Sequence, residues 1–96
     1  MSRPAPRPLS LAIDGLTSAL APATTLARAQ HAWERAVGPV ISAAGLPTAE
    51  RDGVLTVTCS DAVWSAELDL MGPDLVERLN GELGERLIQR LRCRTG

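Results

Sequence analysis

The sequence predicts an α+β fold in which helices cover one face of a three-stranded sheet, with elements in the order α-α-β-β-α-α-β. Three observations predict it. Apolar residues recur at helical spacing before residue 45 and again between 61 and 84. An Asp52-Gly53 dipeptide precedes six residues that alternate in polarity. The chain ends in a second alternating run whose outward positions are arginines. A chain of 96 residues, 45% of them hydrophobic, is large enough for one core and little more. We therefore expect a tail over residues 1–8 and a single domain over residues 9–96.

Pro4, Pro6 and Pro8 are spaced by two in a stretch without apolar periodicity, which reads as a flexible tail. Leu9, Ile13, Leu16 and Leu20 then trace one helical face, weakened at Gly15 and ended at Ala21-Pro22. Thr24 or Thr25 can cap the next helix. Its apolar face comprises Leu26, Ala29, Trp33, Ala36, Val37, Val40, Ile41 and Ala44, and Gly45 stops it. Gly38-Pro39 interrupts that run, because the proline lacks an amide donor and crowds the Arg35 carbonyl, so the helix either kinks or divides into two.

An extended stretch reaches Arg51. Asp52-Gly53 suits the positive φ angles of a two-residue type I′ turn, and Leu55, Val57 and Cys59 then alternate with Val54, Thr56 and Thr58 in a half-buried strand. Ser60 or Asp61 can cap a helix whose Trp64, Leu68 and Met71 share one side. Gly72-Pro73-Asp74 breaks and restarts the chain, and Leu75, Val76, Leu79 and Leu83 form the next apolar face until Gly84. In the last segment Leu87, Gln89, Leu91 and Cys93 alternate with Ile88, Arg90, Arg92 and Arg94, the pattern of a strand with an arginine-rich outer face. The expected core is Trp33, Val37, Leu55, Val57, Trp64, Leu68 and Leu79, with the two indoles between layers. Gly38, Gly53, Gly72 and Gly84 are the expected turn positions.

Charge is unevenly distributed. Residues 1–49 hold four arginines against two acids, residues 50–85 two arginines against nine acids, and residues 86–96 four arginines and no acid. The total of −1 excludes strong salt-driven binding of the whole domain to nucleic acid, but leaves a basic strip of Arg86, Arg90, Arg92 and Arg94. That strip suits either a phosphate backbone or the protection of an exposed sheet edge. With Trp33 and Trp64 the sole aromatics, readers built on rows of stacking rings are excluded.

Catalytic ingredients are thin. Cys59 and Cys93 share no metal-binding spacing and read as free thiols of a reducing cytosol. His31 sits one helical turn or more from any acid partner and reads as a solvated or rim residue, and Glu67, Asp69, Asp74, Glu77, Glu82 and Glu85 fall mostly off the apolar faces as a solvated surface would. No phosphate loop, nucleophile elbow or membrane-length run appears in the sequence, and since Met1 to Pro8, with Arg3 and Arg7, is followed by no sustained apolar run, a leader is not expected. We expect a cytoplasmic, non-enzymatic protein without metal, cofactor, membrane association or small-molecule substrate. Gly81-Glu82-Leu83-Gly84 satisfies the GxxG pattern of K-homology domains, but that clamp joins the two helices after the hairpin, where this chain has Gly72-Pro73-Asp74-Leu75.

Trp33 with Val37-Gly38, the hairpin Asp52-Gly53-Val54-Leu55-Thr56-Val57, Ser60 through Trp64 to Glu67-Leu68, and Leu79-Asn80 with Leu83-Gly84 together resemble the bacterial DciA family. The likeness covers roughly residues 24–94. It implies a K-homology-like domain without a working GxxG clamp, which contacts the replicative DNA helicase and assists its loading on single-stranded DNA. Trp33, Gly38, Gly53, Trp64 and Leu68 are then packing and turn residues. The expected contacts with helicase, or with single-stranded DNA, are Arg86, Arg90, Arg92 and Arg94.

Overall fold

The computed structural model describes residues 24–96, so the predicted tail and the helix over 9–20 lie outside the described residues. Helix α1 (Thr25–Val37) starts where the Thr24 hydroxyl accepts a hydrogen bond from the Ala27 amide at 3.0 Å. Its buried stripe is Ala29, Ala32, Trp33, Ala36 and Val37. Trp33 lies under the sheet, 1% exposed, with its indole N–H donating to the Gly45 carbonyl at 2.8 Å. The long predicted helix divides at Gly38, whose φ of 91° no helix accommodates, and α2 (Pro39–Ala44) restarts with proline in its first turn. The break turns the apolar stripe: Val40, expected on the buried face, is 68% exposed.

Strands β1 (Gly45–Arg51) and β2 (Val54–Cys59) form an antiparallel hairpin. Asp52 and Gly53 both have positive φ, 53° and 85°, as a type I′ turn requires. A bulge between Pro47 and Ala49 leaves Thr48 unpaired, and its hydroxyl meets that of Thr58 at 2.8 Å. Of the two candidate caps, Asp61 starts α3 (Ala62–Leu70), accepting from the Trp64 amide at 2.9 Å. Leu68 is the buried anchor of α3, whereas Trp64 packs on the core half-buried. Helix α4 (Gly72–Leu83) has Pro73 in its first turn and buries Leu75, Val76 and Leu79. It ends at Gly84 in the left-handed conformation.

The segment from Gly84 to Gln89 is held by Asn80, a buried side chain 7% exposed. Its oxygen accepts from the Leu87 and Ile88 amides at 3.1 and 3.0 Å, and its nitrogen donates to the Ile88 carbonyl at 2.7 Å. This replaces the strand pairing predicted to begin at Leu87. Ile88, expected outside with the arginines, is 1% exposed, because the alternation starts only at β3 (Arg90–Thr95).

The sheet order is β1-β2-β3, with β3 parallel to β2. A parallel neighbour needs a crossover, which α3 and α4 supply. The described elements run in the predicted order α-α-β-β-α-α-β, with α1 and α2 both drawn from the second predicted helix, since the first, over 9–20, lies outside the described residues. Helices pack on the face that carries Leu55, Val57, Cys59 and Leu91.

Candidate partner and nucleic-acid interface

Strand geometry sends alternate side chains to opposite faces, so the residues not under the helices form an open face of known composition. From the register, that face carries Val54, Thr56 and Thr58 of β2 beside Arg90, Arg92 and Arg94 of β3, with Leu46 next to Thr58 on β1. The three arginines are exposed and recur about every 6.6 Å, twice the rise of a strand residue. Five other described arginines have carboxylate partners: Arg28 with Glu85, Arg35 with Glu82, Arg51 with Asp52, Arg78 with Asp74 and Arg86 with Glu77. Among the described residues, Arg90, Arg92 and Arg94 have none. Three uncompensated cations in a row concentrate positive potential on a sheet face that none of the described helices covers.

Arg86, the fourth member of the sequence-predicted strip, is positioned differently. It precedes β3, and its guanidinium lies 3.4 Å from the Glu77 carboxylate of α4. It lines a groove of about 980 Å³ that runs between β3 and the helix pair, together with Asp69, Val76, Glu77, Ile88 and Leu91. At the joint of α3 and α4 the groove meets Gly72 and Pro73. A backbone clamp for phosphate needs two closely approaching glycines; here a proline and the exposed acid Asp74 follow the single Gly72. Gly81, by contrast, is inside α4 and Gly84 caps it, so that GxxG is a helix end.

Cys59 and Cys93, distant in sequence, come together on adjacent strands, both on the helix side of the sheet. Burial pushes the Cys93 thiol up to about 11, with the neighbouring Cys59 and Asp69 adding to the rise. The Cys59 thiol is likewise raised, first by burial and then by Asp61. Both are protonated at neutral pH, which makes them poor nucleophiles. His31 is exposed on α1. Among the described residues no three of His, Cys, Asp and Glu are grouped to hold a metal ion, and no helix is long and apolar enough to cross a membrane.

Sequence reasoning missed the groove, and with it Asp69 and Glu77 as lining residues. The signal in the sequence was the strand–helix–helix–strand order, long enough for a crossover; the parallel pairing that makes the last strand a sheet edge beside two helices is set by the fold.

The fold and the site together define a small K-homology-like α+β domain with a cationic sheet face and a groove at the sheet edge. The family model described as "Dna[CI] antecedent, DciA" matches residues 8–93, and the chain belongs to that family. It is similar to several UPF0232 proteins. One from Streptomyces avermitilis is 36% identical over 62 residues, covering 62% of this chain and 34% of the relative. RHA1_ro03670 of Rhodococcus jostii is 30% identical over 60 residues, and one from Mycobacterium marinum 32% over 60 residues, each covering 62% of this chain and 32% of the relative. The matched stretch spans about a third of the length of these curated relatives.

Proposed function

We propose that the protein is a cytoplasmic, non-enzymatic adaptor that binds the replicative DNA helicase and assists its loading or operation on single-stranded DNA. The observation that carries the reading is the DciA family match over residues 8–93. The geometry supports it: charged groups cluster on surfaces, on the acidic outer sides of α3 and α4 and on the arginine row of β3, where charge complementarity steers association between macromolecules.

A second reading has its own observation. Arg90, Arg92 and Arg94 are without carboxylate partners and regularly spaced, so the same row can meet the phosphates of a single strand as a weak nucleic-acid contact. Interferometry against the replicative helicase of the same organism, at moderate salt and with nuclease added, tests the first reading. Nuclease-resistant binding supports it. Absence of helicase binding, with binding to single-stranded DNA that falls steeply with salt, replaces it by the second.

A further inference from the structure

The groove is lined by Arg90, Leu91, Arg92 and Cys93 in succession, and then by Thr95. Neighbouring strand residues point to opposite faces, so a groove touching all of them runs along the strand edge, where the backbone lies. Hydrogen bonds fix which backbone groups are there. The Arg90 amide donates to the Gly53 carbonyl at 3.2 Å and the Gly96 amide to the Cys59 carbonyl at 3.4 Å. In a parallel ladder alternate residues bond to the same neighbour, so Arg90, Arg92 and Arg94 face β2. Leu91, Cys93 and Thr95 therefore turn their N–H and C=O groups outward, into the groove. An edge of this kind is a template for another strand.

The far wall belongs to α3 and α4. Ala62, Ser65 and Ala66 are small and keep the gap open, while Asp69 puts an acid on that wall and Glu77 is paired with Arg86. A strand laid against β3 would alternate its side chains as β3 does. On the open face they would lie beside Arg90, Arg92 and Arg94, and on the other beside Leu91, Cys93 and the small residues of α3.

We propose that the edge of β3, unpaired among the described residues, takes an extended peptide from a protein partner as a fourth strand, with acidic residues at alternate positions over the arginine row and small apolar residues between them. Two features of the site carry this: outward backbone groups at Leu91, Cys93 and Thr95, and three arginines without partners placed to meet cross-strand acids. The inference rests on the adaptor reading and specifies its mode of docking. Nucleic acid is the disfavoured occupant, because the Gly72-Pro73 joint has no phosphate clamp and Asp69 faces the groove without an arginine partner among the described residues, Glu77 being paired with Arg86.

The test is an NMR titration of the ¹⁵N-labelled full chain with three probes: a blocked octapeptide alternating glutamate and valine, the same peptide with lysine for glutamate, and an oligothymidylate. The glutamate peptide is expected to shift the Leu91, Cys93 and Thr95 amides most and to slow their hydrogen exchange. Thr95→Pro removes an outward donor that the β2 ladder does not use, and should weaken the peptide about five-fold with the spectrum otherwise intact. Arg92→Glu with Arg94→Glu should exchange the preference toward the lysine peptide. Strand addition is overturned if neither peptide shifts the edge amides, or if oligothymidylate binds more tightly than both and is indifferent to Thr95→Pro. Interferometry with the helicase separates the two levels. Helicase binding unaffected by Thr95→Pro overturns strand addition alone, whereas a wild-type chain that binds no helicase overturns the adaptor reading.

Discussion

Alternate residues of the same strands build the two faces of the sheet, and the faces differ in kind. Under the helices, Leu55, Val57 and Cys59 are at most 1% exposed and Leu91 is 6% exposed. One residue along in each case, Thr56, Thr58, Arg90, Arg92 and Arg94 face outward with none of the described helices above them. The covered face holds side chains whose removal leaves voids or unpaired polar groups. The open face holds charges that contribute little to folding and are free to meet something else. The comparison teaches that stability and binding are divided by the pleat of the strands, so substitutions one residue apart should have opposite consequences.

The largest effect on stability is expected at Trp33. Trp33→Ala removes the biggest fully buried side chain and should cost about 3–5 kcal/mol, enough to approach the whole stability of a small domain. Chemical denaturation followed by far-UV circular dichroism measures it. Trp33→Phe keeps most of the volume but leaves the Gly45 carbonyl without its donor, for a loss of about 1–3 kcal/mol.

Asn80→Ala comes next. It frees the Leu87 and Ile88 amides and the Ile88 carbonyl from their shared partner, and about 2–4 kcal/mol should be lost. Faster hydrogen exchange at Leu87 and Ile88 is the local signature, and unchanged exchange there would mean that the segment before β3 is held by something else.

Gly45→Ala sharpens the comparison from the crowded side. A methyl group there would meet the Cys59 sulfur at 3.0 Å and Val57 Cγ1 at 3.1 Å. Overpacking of about 1–3 kcal/mol should lower the melting temperature, and Cys59→Ala in the same chain should recover part of it.

A smaller effect follows pH. The Cys93 thiol is held at about 11 in the fold against an ordinary value of 9.0, so above pH 9 the unfolded chain releases a proton that the folded chain retains. This contribution is fully present below pH 9 and is lost as pH rises toward 11. Denaturation midpoints across that window should decline, and less so in Cys93→Ser.

The smallest change in stability should come from the open face. Replacing Arg90, Arg92 and Arg94 by serine is expected to alter folding free energy by no more than about 0.5 kcal/mol. Any binding to single strands should nevertheless collapse, and its dependence on the logarithm of salt concentration should flatten by about 2, at roughly 0.7 per phosphate contact. A destabilised triple variant would show that the two faces are not separable.

Much of the fold was legible in advance because its signals are local. The Thr24 and Asp61 positions, Asp52-Gly53, Pro73 and Gly84 each impose a conformation on a few neighbouring residues. Errors occurred where a periodic pattern crossed a break. Val40 continues the α1 stripe on paper, but Gly38 redirects the chain and the phase is lost. Ile88 shares the alternation of the arginines, yet Asn80 holds the backbone there in a form that is not a strand. The candidate site was legible as the row Arg90, Arg92 and Arg94. Arg86 looked equivalent to them because the sequence does not show Glu77 beside it.

By itself the sequence determined the elements, their order and the division of polar from apolar residues on each, since these follow from backbone preference and from spacing along a single element. Only the tertiary structure decided that β3 lies parallel to β2 as an edge strand, that Cys59 and Cys93 are neighbours, that Asn80 anchors the approach to β3, and that a groove runs beside it. Each of these joins residues separated by at least one intervening element or turn. Their proximity is settled by how the helices and strands pack together, and no short stretch of sequence contains that information.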